Sequence, residues 1–427
     1  MKGGKISMSY VEALECKKCK ERYPASKMRY FCDNCGDFLQ VIYKSEKMRQ
    51  DLDRDKISQR SADIMSKWIE FLPIEDPSLI KRVSLGEMET PLIESRRFGE
   101  RLPVRKLYLK NESVFPTLSL KDRSIPLTIL KGIELNQGFP SIVSSGNAGA
   151  SLAAYATHAG EKGIVFAGKN AKGPRLLQML MTGALVILVN SDYSTVESLF
   201  SKAREKFGWY DCNGQVNPFR LEGKRIYAHE ICMQLGWKVP SAILMPVAGG
   251  NGIIAIEKGF RELKEMGWID QIPKIYGVQA EECAPIAKAF EEGLEEVKPI
   301  TPNNTIAGSI AVANPGIGGN LTLAAVRSTS GGVVAVSEQD ILRVQKELAG
   351  LEGLYCEPAG SISVAGLEIL CKKGDITRND TVVCLLTAHG LKQPGSIEDA
   401  TGLLFEVEPS LKSISDAIKD SGVLLKE

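Results

Sequence analysis

Short apolar runs rich in Val and Ile recur between about residues 85 and 405, separated by stretches of helical periodicity. The clearest are Lys106–Lys110, Phe139–Val143, Gly163–Phe166, Ala184–Val189, Ser241–Val247, Lys274–Gln279 and Thr381–Leu386. Short apolar strands separated by helices are predicted to be covered on both faces. Such strands belong in parallel sheets covered by helices, an α/β fold in which ligands bind beyond the carboxyl ends of strands. Residues 1–45 hold a cysteine cluster and form a separate small module; residues 46–70 are charged and helical in pattern, a connector. The expected division is 1–45 for the module, 46–125 for the connector and first part of a large domain, 126–205 for a small α/β domain, and 206–427 for the rest of the large domain. The tail Pro409–Glu427 reads as one amphipathic helix, expected to pack on the body or on a neighbouring subunit of a homo-oligomer.

Charge adds a boundary to this picture. Lys and Arg number 53 against 52 Asp and Glu, so no overall field draws the chain to nucleic acid or to a membrane surface. No apolar run approaches the length of a membrane span, and Met1–Gly4 opens no signal-peptide core; a soluble, cytoplasmic protein is expected. Of ten cysteines, four fall between residues 16 and 35, and the scattered Cys232, Cys371 and Cys384 read as small buried hydrophobes. A disulfide scaffold is not expected in so long a chain.

Four segments carry chemistry. Lys121, in Ser119-Leu-Lys-Asp-Arg-Ser124, follows a strand and a turn-rich loop and opens a helical pattern. A lysine held there is partly desolvated, which lowers its pKa and readies the amine for Schiff-base formation. Strand Ile142-Val143 leads into Ser144-Ser145-Gly146-Asn147, where small residues admit a ligand close to the backbone and helix-start N–H groups suit a carboxylate. Asn147 offers an amide to a ring hydroxyl. Strand 241–247 runs into Ala248-Gly249-Gly250-Asn251-Gly252 before a helix, a nest of backbone N–H groups for a phosphate; it has neither Walker nor dinucleotide spacing. Strand 381–386 ends at Thr387, whose hydroxyl suits a ring nitrogen. An amine for an aldehyde, an amide for a hydroxyl, a nest for a phosphate and a hydroxyl for a ring nitrogen together match pyridoxal 5'-phosphate.

At these residues the chain resembles the fold-type II pyridoxal-phosphate enzymes (tryptophan synthase β-like), and within them the threonine synthases. The resemblance rests on Ser84–Leu92, Pro116–Arg123, Ser144–Ser151, Glu357–Gly366 and Thr387–Lys392, and extends over about residues 10–405. It implies two open, parallel-type sheets flanked by helices. It also implies Lys121 as Schiff-base lysine and proton shuttle, Asn147 at the cofactor 3′-oxygen, Ala248–Gly252 at its phosphate and Thr387 at its pyridine nitrogen. The implied reaction converts O-phospho-L-homoserine and water to L-threonine and phosphate: phosphate leaves Cγ, and water adds at Cβ. Ser144 and Ser145 would meet the substrate carboxylate; Lys169, Arg175 and Asn213 are candidates for its phosphate. The chain departs from the family pattern at Leu118, Leu120, Ser124, Ala148, Ala388 and Gln393, where Gly, Phe, Gly, Thr, Gly and Asp are usual. An O-phosphoserine-dependent synthase (cysteate or cysteine synthase-like) is therefore the first alternative, and a threonine/serine dehydratase the next.

Cys16-Lys-Lys-Cys19 and Cys32-Asp-Asn-Cys35 are two C-x-x-C knuckles with twelve residues between them. Four thiolates so spaced make a tetrahedral Zn2+ site, and a module too small for its own core needs that staple. Iron is the other candidate metal. Many threonine synthases resemble this chain in carrying such a ribbon. A nucleic-acid-binding zinc ribbon on an enzyme-like body is the non-enzyme alternative; against it, Lys17, Lys18, Lys20, Arg22, Lys27 and Arg29 interleave with acidic residues.

Overall fold

A computed structural model of the chain describes residues 9–421 except 170, 192, 302 and 396–401. The ribbon comes first, with β1 (Val11–Cys16), β2 (Arg22–Tyr23) and β3 (Leu39–Tyr43) forming an antiparallel sheet in the order β2-β1-β3. Short helices Ser45–Asp51, Arg54–Ser58 and Ile64–Lys67 then lead to the body. Asp53 and Asp63 cap the second and third by accepting from backbone N–H groups.

The body begins with β4 (Leu92–Glu94) and β5 (Lys106–Asn111). The chain then leaves to build a second sheet from β6 (Pro140–Val143), β7 (Ile164–Gly168), β8 (Leu185–Val189) and β9 (Tyr210–Asp211). It returns with β10 (Ala242–Pro246), β11 (Lys274–Ala280), β12 (Gly332–Val336) and β13 (Thr381–Leu386). The large sheet runs β12-β11-β10-β13-β5-β4, parallel except for β4 at the edge, and the smaller runs β8-β7-β6-β9, all parallel. Two covered faces explain the continuous apolar runs of the inner strands, but the expectation fails at β8, an edge strand of the smaller sheet whose Leu185 and Leu188 are exposed. Along β13, Val382, Cys384 and Leu386 join one buried cluster with Ile362 and Leu367, while Val383 and Leu385 join the other with Ile253 and Phe260. Cys232 and Cys384 are buried as read, but Cys371 is only half-buried.

β10, β13 and β5 are neighbours, so three loops at their carboxyl ends meet at one place. Residues from Pro394 onward form a second compact unit, whose helix Leu411–Asp420 is capped by Ser410. Residues 422–427 of the expected tail helix lie outside the described residues. Among the described residues no helix is long and apolar enough to cross a membrane.

Candidate active site

Lys121 sits on the short helix Leu120–Arg123 after β5, and backbone bonds fix this turn to the end of β13. The Leu120 N–H donates to the Thr387 carbonyl at 2.8 Å, and the His389 N–H to the Leu118 carbonyl at 3.0 Å. Leu118 adopts φ +63°, the left-handed region that favours glycine, at the position where Gly is usual in the resembling family. Enclosure by protein, then the nearby guanidiniums of Arg220 and Arg175, lower the Lys121 pKa to about 8, with Glu357 pulling the other way.

Asp122 beside it is fully enclosed and ties the turn together. It accepts from the Thr117 N–H and hydroxyl at 2.7 and 2.5 Å, and from Ser151 Oγ at 2.7 Å. Ser151 lies on the helix Asn147–His158 that follows β6, so one carboxylate sets the register between Lys121 and Asn147.

Asn147 opens that helix. Its Nδ2 donates to both oxygens of Glu357, at 3.3 and 3.1 Å, and its buried Oδ1 has no partner among the described residues. Glu357, 1% exposed, is a hub that pattern reading quoted within a motif but gave no role. It also accepts from Arg175 Nη2 at 3.0 Å, Ser309 Oγ at 3.0 Å and the Thr387 hydroxyl at 3.4 Å. Arg175 reaches Gln393 Oε1 as well, at 2.8 Å. Ser144 Oγ accepts from the Gly146 N–H at 3.2 Å, and Ser145 is exposed. Lys169 is exposed after β7. Asn213 is tied into the scaffold, accepting from the Val143 N–H and donating to Asp211.

The loop after β10 is held open by crowding. Gly250 has φ +96°, and a Cβ there would lie 2.0 Å from Thr322 Oγ1; at Gly249 it would lie 2.3 Å from Gln215 Nε2. The N–H groups of Gly249, Gly250, Asn251 and Gly252 donate to nothing among the described residues. They stand at the start of the helix Asn251–Glu265, whose dipole adds positive potential. An amine with a lowered pKa, an unpartnered amide oxygen and an unpartnered N–H nest fit pyridoxal phosphate.

Sequence reasoning also missed two buried cations. Arg220, 3% exposed, donates from Nη1 to Ser124 Oγ at 2.7 Å, and its Nε has no partner. Burial lowers its pKa to about 10, and among the described residues no carboxylate acts on its charge. Lys224 is 6% exposed and faces Lys121 and Arg220. The run Asn217-Pro-Phe-Arg-Leu-Glu-Gly-Lys224 was the available signal, a polar stretch entering a helix that buries every residue from Glu222 to Cys232.

In the ribbon, the four thiols lie within 4.8 Å of one another, and Cys16–Cys35 and Cys19–Cys32 approach to 3.4 and 3.5 Å. Four convergent sulfurs with no other donor fit a structural zinc site. Arg22 pairs with Glu12 and Glu15 at 3.0 Å each, which neutralises part of the ribbon's basic surface.

Comparison with known proteins agrees with this geometry. Residues 83–388 match the family described as pyridoxal-phosphate dependent enzyme. Threonine synthase of Methanocaldococcus jannaschii is 36% identical over 95% of this chain and 99% of its own, and that of Methanosarcina acetivorans is 36% identical over 95% and 98%. Among solved structures, maize serine racemase superposes with a TM-score of 0.63 at 17% identity, covering 85% of this chain and 98% of that one; it shows the fold alone. The chain belongs to the pyridoxal-phosphate-dependent enzymes of fold type II, and within them to the threonine synthase family.

Proposed function

We propose that this enzyme converts O-phospho-L-homoserine and water to L-threonine and phosphate, using pyridoxal phosphate held by Lys121, Asn147, Ala248–Gly252 and Thr387. When bound, the cofactor supplies an aldehyde for amino groups and a ring that withdraws electrons from the bonds of a captured amino acid. Lys121 does the proton work. With a pKa of about 8 it keeps roughly a tenth of its amine neutral at pH 7, enough to accept a proton from Cα and return one. The unpartnered N–H groups at Gly249–Gly252 take the cofactor phosphate, and Ser144 and Ser145 take the substrate carboxylate. Ala148, in place of the usual Thr, withdraws one hydroxyl from that side.

The observation that carries the phosphorylated substrate is buried Arg220 beside Lys121, a guanidinium with an open Nε and no carboxylate neighbour. A charge so placed requires an anion. We assign the phosphate to Arg220 ahead of Lys169, because Lys169 is exposed and Arg220 borders Lys121. Arg175 has its own carboxylate, Glu357, and so stands as a positioning group. The non-enzyme ribbon reading gains no support from a surface whose arginine is already paired.

The test supplies O-phosphohomoserine and O-phosphoserine side by side and measures phosphate and amino-acid products. Threonine with equimolar phosphate from the first is expected. Phosphate release without threonine would overturn the assignment, and turnover of O-phosphoserine with a sulfur nucleophile would favour the alternative synthase.

A further inference from the structure

Lys224 is a buried cation that the chemistry above leaves unused. It lies four residues after Arg220, in the first turn of the helix Glu222–Gln234, and its ammonium makes no hydrogen bond or ion pair among the described residues. Gly223 presses this turn onto the Lys121 loop, since a Cβ there would sit 1.9 Å from the Arg123 carbonyl oxygen. Arg220 closes the same junction through Ser124. Burial and the charges of Lys121 and Arg220 push the Lys224 pKa well down. An apolar side chain of equal length would satisfy this position better in the ligand-free protein, because a buried amine with no counter-ion is costly whether it stays charged or is forced neutral.

We infer that Lys224, together with Arg220, grips the phosphoryl group of the amino-acid substrate and selects that doubly charged group over neutral or singly charged esters. The cofactor's own phosphate is the other source of the same chemistry, but the N–H nest at Gly249–Gly252 already answers it. The inference rests on the reading of this site as one for a phosphorylated amino acid.

Lys224→Met and Lys224→Arg, loaded with pyridoxal phosphate, are titrated with inorganic phosphate by calorimetry, while cofactor affinity is followed by visible absorbance. Lys224→Met should weaken phosphate binding at least about tenfold and change cofactor affinity by less than about twofold. The same variant should raise the melting temperature of the ligand-free protein, an effect that a merely structural lysine would reverse. Lys224→Arg should restore phosphate binding to within a few-fold of wild type. Unchanged phosphate binding in Lys224→Met overturns the inference, and so does loss of the cofactor in place of phosphate. Should Lys224→Met fail to fold, Lys224→Gln carries the same comparison. Wild-type protein that binds phosphate through Lys224 yet forms no threonine would overturn the substrate assignment alone; threonine formation with a Lys224→Met variant that binds phosphate normally would overturn this inference alone.

Discussion

Two clusters of buried charge meet within one turn of chain, and they are built on opposite plans. Arg123 donates to Glu112 at 2.6 Å and to Glu230 at 2.7 Å, while Lys110 reaches Glu230 Oε1 at 2.5 Å and the Thr90 carbonyl at 2.7 Å. All four charged side chains are fully buried, two cations against two carboxylates. Two residues earlier, Lys121 feels the charges of Arg220 and Lys224, and among the described residues the carboxylate that acts on it is Glu357, already bonded to Arg175 and Asn147. The first cluster is complete without a ligand and locks β5 to the helix Glu222–Gln234. The second has more positive charge than the protein neutralises. Internal balance separates scaffold from site here more sharply than burial does, because Arg220, Lys224 and Glu357 are buried as the first cluster is.

The largest expected difference follows from removing a member of each. Lys121→Ala should abolish the visible absorption band formed with pyridoxal phosphate and lower turnover by at least about a thousandfold, with little change in melting temperature. A variant that keeps its colour would break the assignment of the amine. Glu230→Gln should do the reverse, costing about 3–5 kcal/mol of stability by leaving Lys110 without its carboxylate and Arg123 with Glu112 alone, as read by denaturant unfolding. If Glu230→Gln is as stable as wild type, the balanced cluster is not the scaffold described.

The balanced cluster and the open one were not equally legible in the sequence. Lys121, Asn147, Gly250 and Thr387 each stand at a strand-to-loop junction, and that local grammar of apolar run, small or polar turn and helix is visible in the chain itself. The strands were legible for the same reason, although β9, β12 and the antiparallel β4 escaped the pattern. Glu357 quoted inside a motif showed no sign of collecting four donors, since these come from residues 147, 175, 309 and 387. Arg220 and Lys224 were missed, because only tertiary packing onto the Lys121 loop strips them of water. Electrostatic imbalance is a property of the fold; the polar run 217–224 marks where it falls without showing that it exists.

The ribbon supplies the mirror image of the open cluster, four gathered thiols whose thiolate charge calls for a cation. β3 anchors it through the Tyr43 hydroxyl, which donates to Glu222 at 2.8 Å, and through the Val41 carbonyl, which accepts from Lys258 at 2.7 Å. Chelation of the metal should therefore loosen the knuckles and leave the body intact. Proteolysis within residues 17–37 should become at least about tenfold faster, while the cofactor band persists. Loss of that band on chelation would show that the ribbon holds the site together.

The smallest effect distinguishes the two clusters by pH. Burial raises the Glu230 pKa, but Arg123 and Lys110 outweigh it and hold the carboxyl at about 2, below its ordinary 4.5. Its contribution to stability is full above about 4.5 and is lost as pH falls toward 2. Lys121 works at the other end. Its pKa of about 8 means that the neutral amine, the form that captures an aldehyde, rises about tenfold per pH unit below 8 and then levels off. Stopped-flow capture of pyridoxal phosphate by ligand-free protein should follow that curve, with its bend near pH 8. Between about 8 and 10.5 the unfolded chain holds a proton that native Lys121 has released, so this residue's contribution to stability rises with pH across that window. A capture rate that keeps climbing to pH 10 would show an amine paired with a carboxylate, and would place Lys121 in a balanced cluster like that of Arg123.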